Sequence, residues 1–515
     1  MKNISFDNLL NGKLLSLKSI KNIVGKFPRK KKVVLCHGVF DVVHPGHLRH
    51  FSYVKKKADI LVVSITEDQF VGKGHYKPHI PSHLRALTLS ALEIVDYVLI
   101  NKTATALNII NSLKPDFFAK GYEYSDKKNL NTTEEDRLVN SYGGKFLFTP
   151  GDLIYSSTNI QKNKDINIDI EKIIFYMKYK NINFIDIKNI LLKKSKINIH
   201  VVGDTIVDKY IITNLIGGQI KTPTISVSYL SENSFLGGAA IVASHLKSAG
   251  ATVTFTTVLG KDKTKNFVIK ELKKQNIRVN PLILNYRPTT EKCVIIANNY
   301  RLLKIDNLDN QPISNSDVMK ICKIIKKVNT ECIIFSDFRH GIFHKESIKN
   351  FIDFIPKNIL RVADSQVASR WGNILDYINF DIITPNEKEA RFSLADQDSN
   401  VSNLARNLLK ETKCKNIFLK LGSRGVCSID SSLKKEESFS LPSFTENPID
   451  PVGAGDAMLA YLTISFLKSK SHFISLFIGL AAAACACETN GNTPVGIKQV
   501  LKKIDEIEEK IKKFL

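Results

Sequence analysis

The stretch IDPVGAGDAMLA, residues 449–460, is the most informative part of this sequence. Its Gly453, Ala454 and Gly455 predict a turn that presents successive backbone N–H groups at the start of a helix of small residues. Such a turn binds anions, including a phosphoryl group during transfer. Asp456, in the first turn of the same helix, carries a carboxylate suited to accept the proton of an attacking hydroxyl. The stretch therefore predicts a phosphoryl-transfer site.

The region around this motif, residues 196–515, alternates short apolar runs with helical patterns. The runs include INIHVVGD from Ile197, DIITPNE at 381–387 and IFLKLGSRG at 417–425. Buried strands that alternate with helices form parallel sheets covered on both faces, so this region is predicted to be an α/β domain. Ligands of such sheets bind at the carboxyl ends of the strands.

A second series of the same kind occupies residues 32–162. It includes the apolar runs VVLCHGVF, residues 33–40, and DILVVSI, residues 59–65, which are predicted strands. Residues 163–195 lack Gly and Pro and repeat Ile, Phe and Leu at three- and four-residue spacing, which predicts a helical linker. Residues 1–31 are predicted to be a helical extension. The predicted fold class is α/β, with two parallel-sheet domains.

The first series contains the stretch HGVFDVVHPGHLRH, residues 37–50. A strand is followed by a Gly-containing turn and by a helix that begins at Pro45 or Gly46. This geometry directs backbone N–H groups and the positive end of the helix dipole toward whatever lies above the turn. The imidazoles of His44 and His47 flank that turn and are suited to stabilise charge on a phosphorus centre. The stretch predicts a second phosphate-handling site.

Together with SSTNI at 156–160, the HPGH stretch resembles the HxGH nucleotidyltransferase superfamily of cytidylyltransferases and adenylyltransferases. The resemblance covers residues 32–162 and implies a Rossmann-like domain that binds a nucleoside triphosphate. It implies catalytic roles for His44 and His47. The other residues that it implies in nucleotide or phosphate binding are Gly38, Phe40, Lys55 (or its neighbour Lys56), Arg85, Ser156, Ser157 and Thr158.

Two details concern the nucleotide and a possible metal. The KGYEY stretch, residues 120–124, resembles the KGGDY of heptose-phosphate adenylyltransferases. The Arg that glycerol-phosphate cytidylyltransferases carry before the Ser/Thr run is absent from TPGDLIY, residues 149–155. We therefore expect ATP rather than CTP as the nucleotide substrate. Asp41 either caps its loop or binds a metal.

From residue 197 to the C-terminus the chain resembles the PfkB, or ribokinase-like, carbohydrate kinases. The DPVGAGD string carries this resemblance, which implies that Asp456 is the catalytic base and that residues 210–235 form a small β lid. The implied sugar-binding residues are Asp204, Asp208, Gly237 and Gly238. The implied nucleotide-binding residues are Lys420, which replaces the usual Thr, with Gly422, Gly425, Gly453, Ala454 and Gly455. Asn386 and Glu389 are implied to organise Mg²⁺ through water.

A sugar kinase and a nucleotidyltransferase in one chain predict consecutive steps toward a nucleotide-activated sugar. With its domain order inverted, the chain resembles the bifunctional heptose 7-phosphate kinase/heptose 1-phosphate adenylyltransferases of ADP-heptose and lipopolysaccharide synthesis. Ile241 and DSQVASRWGN, residues 364–373, depart from those enzymes where the ligands would bind. Three alternatives stay open: a cytidylyltransferase fused to a different ribokinase-like kinase, a non-catalytic nucleotide or sugar sensor, and a nucleic-acid binder.

Composition narrows the expected partners. Lys and Arg number 74 against 50 Asp and Glu, a net charge of +24, but the basic residues are spread along the 515-residue chain. We therefore expect small phosphorylated substrates, with ATP as co-substrate, rather than nucleic acid. The eight cysteines lack zinc spacing, and no apolar stretch is long enough to span a membrane, so a cytoplasmic location is expected. A homodimer through the lid is also expected, while His340 and other isolated histidines are predicted to be core or surface residues.

Overall fold

A computed structural model describes residues 12–71, 78–121, 130–149, 168–217, 225–298, 300–366, 373–431, 437–489 and 491–514. The chain divides into two compact units. The first comprises Met1–Ile168 with Asp398–Asn403, and the second comprises Asp169–Gln397 with Leu404–Leu515.

The first unit is built on a five-stranded parallel sheet. Its strands are β1 Val33–Gly38, β2 Ile60–Thr66, β3 Tyr97–Asn101, β4 Phe117–Gly121 and β5 Lys145–Thr149. They lie in the order β3-β2-β1-β4-β5, and all pairs are parallel. The helices are α1 Leu17–Val24, α2 Pro45–Lys55, α3 Ser82–Ser90, α4 Leu107–Leu113 and α5 Leu130–Ser141. The predicted parallel α/β domain is confirmed.

The central strand β1 shows why this sequence forms a sheet covered on both faces. Val34 and Cys36 lie in one buried cluster, whereas Val33 and Leu35 lie in another on the opposite face. Successive side chains of a strand point to opposite faces, so a continuous apolar run buries both. The packing fixes β1 firmly, and its carboxyl end carries the turn that precedes the HPGH stretch.

The main sheet of the second unit has nine strands. They are β6 Asn198–Gly203, β9 Thr252–Gly260, β10 Arg278–Leu284, β13 Cys332–Asp337, β14 Leu360–Ser365, β15 Ile382–Ile383, β16 Asn416–Lys420, β17 Val426–Asp430 and β18 Glu437–Leu441. Their order is β10-β9-β6-β13-β14-β15-β16-β17-β18. The pairs are parallel from β10 to β16, and the last two strands are antiparallel.

A separate four-stranded sheet forms the lid. Its strands are β7 Thr205–Gly217, β8 Ser226–Gly238, β11 Glu291–Ala297 and β12 Tyr300–Asn307, in the order β12-β11-β7-β8. It confirms the predicted β lid, and it is larger than expected because β11 and β12 extend the hairpin that β7 and β8 form.

Helices cover the main sheet and carry most of the apolar core. Those of the second part of the chain are α6 Ile168–Tyr179, α7 Phe184–Leu192, α8 Ala239–Ser248, α9 Lys263–Lys274, α10 Asn315–Lys327, α11 Lys345–Phe354, α12 Glu387–Leu394, α13 Val401–Thr412, α14 Ala454–Ser469, α15 His472–Cys487 and α16 Ile497–Phe514. Within the described part of the chain, none is long and apolar enough to cross a membrane.

The region that the sequence assigns to a linker contains α6 and α7. Ile173, Tyr176, Ile187 and Leu191 of these helices are buried in the same core as α14 and α15. Asn183 caps α7, because its side chain accepts the Asp186 N–H at 2.9 Å while its own N–H donates to the Asp186 carboxylate at 2.9 Å. These helices therefore pack as part of the second unit.

Candidate active sites

The HPGH stretch forms the N-terminus of α2, directly beyond the carboxyl end of β1. His44 is the N-cap, and its Nδ1 accepts the N–H of Gly46 at 3.1 Å. Nδ1 of His47 accepts the N–H of His44 at 3.4 Å. The two rings lie 3.9 Å apart between centroids at an angle of 31°. Both histidines thus cap their own helix.

These hydrogen bonds determine which ring nitrogen carries the proton. When Nδ1 of a neutral imidazole accepts a hydrogen bond, its proton lies on Nε2. The network therefore assigns His44 and His47 the tautomer with an Nε2–H donor. Two adjacent N–H donors at a helix N-terminus are suited to bind phosphate oxygens.

Gly46 and Phe40 fix the orientation of these rings. A Cβ on Gly46 would lie 2.8 Å from Cε1 of His44, so glycine allows the ring to fold over the helix start. The Phe40 ring meets the His47 ring edge-on with 5.1 Å between centroids. A Cβ on Gly38 would lie 3.2 Å from the Phe40 ring. Phe40 therefore packs against the His47 ring, and the absence of a side chain at Gly38 leaves room for the Phe40 ring.

The guanidinium of Arg85 is engaged by groups of the protein itself. Its side chain is fully buried and donates to the carbonyl oxygens of Val39, Ile80 and Thr66, the last two at 2.9 and 2.8 Å. It also pairs with Asp68 at 2.6 Å. Its donors thus hold the protein backbone beneath the turn. Its contact with a phosphate stays a prediction.

Lys55 is also away from the histidines. It is the last residue of α2, and its ammonium lies 2.5 Å from Asp96 and 2.7 Å from the carbonyl of Asp59. A helix rises about 1.5 Å per residue, so Lys55 lies roughly 12 Å along the axis from His47. Its ammonium is thus engaged away from the histidines, and Lys56 is the exposed C-cap. Ser156, Ser157 and Thr158 lie outside the described residues.

Two further charged groups of the first unit are engaged in its loops. The Asp41 carboxylate accepts the N–H groups of His79 and Ile80 at 2.9 and 2.8 Å, which favours the loop-capping interpretation. Lys120, the first residue of KGYEY, pairs with Glu135. Residues 122–124 of that stretch lie outside the described part of the chain.

The DPVGAGD stretch forms the N-terminus of α14. Gly453 is the N-cap with φ of 82°, a left-handed conformation that favours glycine, and the helix begins at Ala454. Asp456 lies in the first turn and is buried. Burial, followed by the nearby Asp364 charge, raises the pKa of Asp456 to about 8, although Lys420 opposes this rise. The geometry combines an anion-binding turn with a carboxylate that binds a proton near neutral pH.

Lys420 lies beside this turn, at the end of β16. Its ammonium forms an ion pair with Asp364 at 2.8 Å, and Asp364 also accepts the Thr384 hydroxyl at 2.8 Å. A Cβ on Gly455 would lie 3.4 Å from the ammonium nitrogen. The predicted phosphate-binding residues Lys420, Gly453 and Gly455 are thus brought together. Gly422 and Gly425 follow, with φ of 62° and 90°.

Asp208 extends this site toward the lid. Its side chain is hydrogen-bonded to Asn492, and burial raises its pKa. A Cβ on Gly237 would overlap the Asp208 carboxylate, and one on Gly453 would overlap the Asn492 amide. The two glycines therefore leave room for a chain of side chains between the lid and α14. Asp208 is brought to the site, as expected of a sugar ligand.

The carboxylate of Asp204 is engaged by backbone amides. Its buried carboxylate accepts the backbone N–H groups of Phe338, His340 and Ile342 at 3.0, 3.2 and 3.4 Å. Three amide donors occupy its oxygens, so it anchors the loop after β13. Gly238, with φ of 58°, is the N-cap of α8, and a Cβ there would lie 2.5 Å from the Asp204 carbonyl.

Asn386 and Glu389 form a capping box at the start of α12. The Glu389 carboxylate accepts the backbone and side-chain N–H groups of Asn386 at 2.7 and 2.5 Å, and its own N–H donates to Asn386 Oδ1 at 2.9 Å. No cluster of three or more metal-binding side chains occurs in the described ranges. Carboxylate oxygen suits Mg²⁺, which commonly keeps its waters and binds substrate phosphates. The pair therefore fits a water-mediated role.

Three residues of the second unit near these groups were not predicted as site residues from the sequence. Asp364 lies at the carboxyl end of the buried strand β14, a position that does carry a signal, since ligands bind at strand ends. Asn492 comes from a loop and Lys292 from the lid, and their spacing in the sequence gives no indication that they approach Asp208. Asp337, by contrast, caps its own strand end, because it accepts the Arg339 N–H at 2.8 Å.

Two protein-family models match this chain. The family model described as pfkB family carbohydrate kinase matches residues 196–497, and the model described as Cytidylyltransferase-like matches residues 35–163. The transferase-like match comes first, in agreement with the predicted domain order.

Several curated relatives of this chain are called Bifunctional protein HldE. The chain is 25% identical to that of Sulfurimonas denitrificans over 345 residues, which cover 63% of this chain and 71% of the relative. It is 29% identical to that of Helicobacter pylori strain Shi470 over 323 residues, or 60% and 67%. It is 36% identical to that of Campylobacter concisus over 147 residues, or 28% and 31%.

Among solved structures, phosphofructokinase-2 from Escherichia coli in complex with potassium matches with a TM-score of 0.51 and 18% identity. The match covers 61% of this chain and all of that one, and it shows the shared fold. Since one family model spans more than half of the residues, this chain belongs to the pfkB family of carbohydrate kinases, with a cytidylyltransferase-like domain preceding the kinase domain.

Proposed function

We propose that this chain is a bifunctional enzyme of nucleotide-sugar synthesis. Its second unit would phosphorylate a sugar, and its first unit would join the resulting sugar 1-phosphate to a nucleotide. The observation that carries the proposal is the pairing of two helix N-termini with different chemistry: the Nε2–H donors of His44 and His47, and the buried Asp456 beside Lys420.

In the kinase step, Asp456 accepts the proton of the sugar hydroxyl while the hydroxyl oxygen attacks the γ-phosphorus of ATP. A bond forms between that oxygen and phosphorus, and the bond to the bridging oxygen breaks, so ADP leaves. The amides at Gly453 and Gly455 and the Lys420 ammonium hold the charge of the moving phosphoryl group. Asp208 orients the sugar by accepting a hydroxyl.

Mg²⁺ is proposed as the metal of this step. When bound, it would neutralise charge on the ATP phosphates. Glu389 would hold waters of the metal, and its bonds to Asn386 fix the carboxylate for that purpose.

In the transferase step, an oxygen of the sugar 1-phosphate attacks the α-phosphorus of the nucleotide, and pyrophosphate leaves. No covalent enzyme intermediate is needed. His44 and His47 donate Nε2–H hydrogen bonds to the phosphate oxygens as charge builds on them.

We propose heptose 7-phosphate as the kinase substrate and ATP as the nucleotide of the transferase, giving ADP-heptose. The similarity to the HldE proteins and the KGYEY stretch support this choice. A screen of phosphosugars with ATP or CTP tests it, with ADP and pyrophosphate measured separately. Pyrophosphate release with CTP in preference to ATP would establish the cytidylyltransferase alternative instead.

We also propose that the chain forms a homodimer through the lid. Leu303 and Ile305 of β12 are 56% and 50% exposed on the lid face opposite Asp208. Burying these side chains against a second lid would remove apolar surface from water. Light scattering of Leu303→Lys, compared with the wild type, tests whether the dimer dissociates.

A further inference from the structure

Arg85 of α3 connects the segments of chain that follow β1 and β2. Its side chain is fully buried, and it donates hydrogen bonds to four oxygens: the carbonyls of Val39, Thr66 and Ile80 and the carboxylate of Asp68. These bonds engage four of the five N–H groups of the guanidinium. An arginine that binds phosphate frequently offers a pair of parallel N–H groups. Arg85 has no such pair left, and its partners belong to the two loops.

Phe40, in the loop after β1, has a backbone that requires such support. Its φ is 48°, in the left-handed region that is unfavourable for a residue with a side chain. Such a conformation persists only where the surrounding structure enforces it. On one side, the Val39 carbonyl accepts Nη1 of Arg85. On the other side, the buried Asp41 carboxylate accepts two backbone N–H groups of the segment before α3, at 2.9 and 2.8 Å. The Phe40 backbone is therefore held from both sides.

The Phe40 side chain transmits this constraint to His47. Its buried ring meets the His47 ring edge-on with 5.1 Å between centroids, and it packs against Phe51 with 5.4 Å between centroids. Nδ1 of His47 accepts the N–H of His44 at 3.4 Å. That hydrogen bond is long, so a small rotation of the His47 ring would break it. A displaced Phe40 would therefore remove the preference of His47 for the Nε2–H tautomer.

We propose that Arg85 and Asp41 are positioning residues of the transferase site. They act through the Phe40 ring on His47, and neither binds the substrate. This inference rests on the proposed transferase function and goes beyond it, because it assigns a role to two buried groups away from the reacting phosphates. A displaced donor loses more stabilisation in the transition state than in the bound substrate. Loss of either residue should therefore lower kcat with little change in the KM for ATP.

The test is a double-mutant cycle with Arg85→Lys and Phe40→Leu. Lysine keeps the charge but lacks the planar fork that reaches several acceptors. We expect the kcat of pyrophosphate release to fall about 10- to 100-fold in Arg85→Lys, while the KM for ATP changes less than about two-fold. Phe40→Leu should show the same split. The double variant should be no slower than the slower single variant, because both substitutions act through one ring.

Arg137→Lys is the matched control, because Arg137 is exposed on α5 of the same unit. It should match wild type in both kcat and KM. Direct binding of phosphate by Arg85 predicts a different result. The KM for ATP would then increase strongly in Arg85→Lys, and the effects of the two single substitutions would multiply in the double variant. Either outcome would overturn the proposal.

Asp41→Asn provides a second variant where Arg85→Lys does not fold. The amide replaces one acceptor oxygen with an NH₂ group, so kcat should fall about ten-fold at an unchanged KM for ATP, as expected for one lost hydrogen bond. A wild-type kcat would remove Asp41 from this role. If Asp41 binds a metal instead, the variant will need more Mg²⁺ for half-maximal activity, and that result would also overturn its positioning role.

Magnetic resonance of protein that contains isotope-labelled histidine separates this inference from the proposed function. The ring signals of His47 are assigned by their absence in His47→Ala. They should show the Nε2–H tautomer in wild type and a mixture of both tautomers in Arg85→Lys and Phe40→Leu. If wild type releases no pyrophosphate with any sugar 1-phosphate, the proposed function fails, and these signals still decide the inference. Wild-type His47 signals in both folded variants would overturn it.

Discussion

The two helix N-termini that carry the sequence motifs differ in how their side chains are used. At α2, the side chains of His44 and His47 cap the helix through Nδ1, at 3.1 and 3.4 Å, which leaves the proton of each neutral ring on Nε2. At α14, Asp456 is buried with no hydrogen-bond partner among the described residues, and burial raises its pKa to about 8.

The two histidines are therefore suited to bind negative charge, whereas Asp456 is suited to accept a proton. A neutral imidazole held in one tautomer stabilises developing negative charge without changing its own protonation. A desolvated carboxylate with a pKa near neutrality exchanges a proton with substrate. The same element, a turn before a helix, therefore supports nucleotidyl transfer in one unit and phosphoryl transfer in the other.

The largest predicted effect is that of Asp456→Asn. The amide cannot accept the hydroxyl proton as a base, so we expect kinase turnover to fall about a thousand-fold. Pyrophosphate release from ATP and a supplied sugar 1-phosphate should stay at the wild-type rate. ADP formation at near the wild-type rate would remove Asp456 from its role.

His47→Ala tests the other half of the comparison. Loss of one Nε2–H donor and of the cap on His44 N–H should slow pyrophosphate release about a hundred-fold. ADP formation by the kinase should be unaffected. His83→Ala, an exposed histidine of α3, is the control and should match wild type in both assays. A parallel loss of both activities in His47→Ala would contradict independent sites.

The pH profile of the kinase sharpens the contrast. Asp456 must be ionised to accept a proton. We therefore expect kcat/KM to increase with pH and to show an inflection near pH 8, the pKa of Asp456. Because Lys420 lowers the pKa of Asp456, Lys420→Met should move the inflection to higher pH. An inflection that lies one pH unit higher would reduce the ionised fraction at pH 7 about ten-fold.

The control for this profile is Lys420→Arg, which keeps a cation beside Asp364 and should keep the inflection near its original position. An unchanged profile in Lys420→Met would show that Lys420 does not influence the base.

The smallest predicted effect is that of Lys55→Met. Since its ammonium pairs with Asp96 at the far end of α2, pyrophosphate release should stay within about two-fold of wild type. The free energy of unfolding should fall by at most about 1 kcal/mol, because the pair is partly exposed. A hundred-fold loss of transferase activity would place Lys55 among the phosphate ligands after all.

The architecture could be predicted well, because strands that are buried on both faces of a parallel sheet are continuous apolar runs. Such runs are visible in the sequence. The positions of Asp456 and Lys420 could also be predicted, since motif positions at strand ends and helix starts converge on one edge of a sheet. The partners of Arg85, Lys55 and Asp204 could not. Each is the right residue type near the right element, but its partners are backbone groups or charges distant in sequence.

The decisive measurement follows ADP and pyrophosphate separately in Asp456→Asn and His47→Ala, each supplied with ATP and either heptose 7-phosphate or heptose 1,7-bisphosphate. We predict that His47→Ala forms ADP from heptose 7-phosphate at the wild-type rate but releases pyrophosphate about a hundred-fold more slowly. We predict that Asp456→Asn releases pyrophosphate from the bisphosphate at the wild-type rate but forms ADP from the monophosphate about a thousand-fold more slowly. Loss of both products in either folded variant would contradict two separate sites with different chemistry.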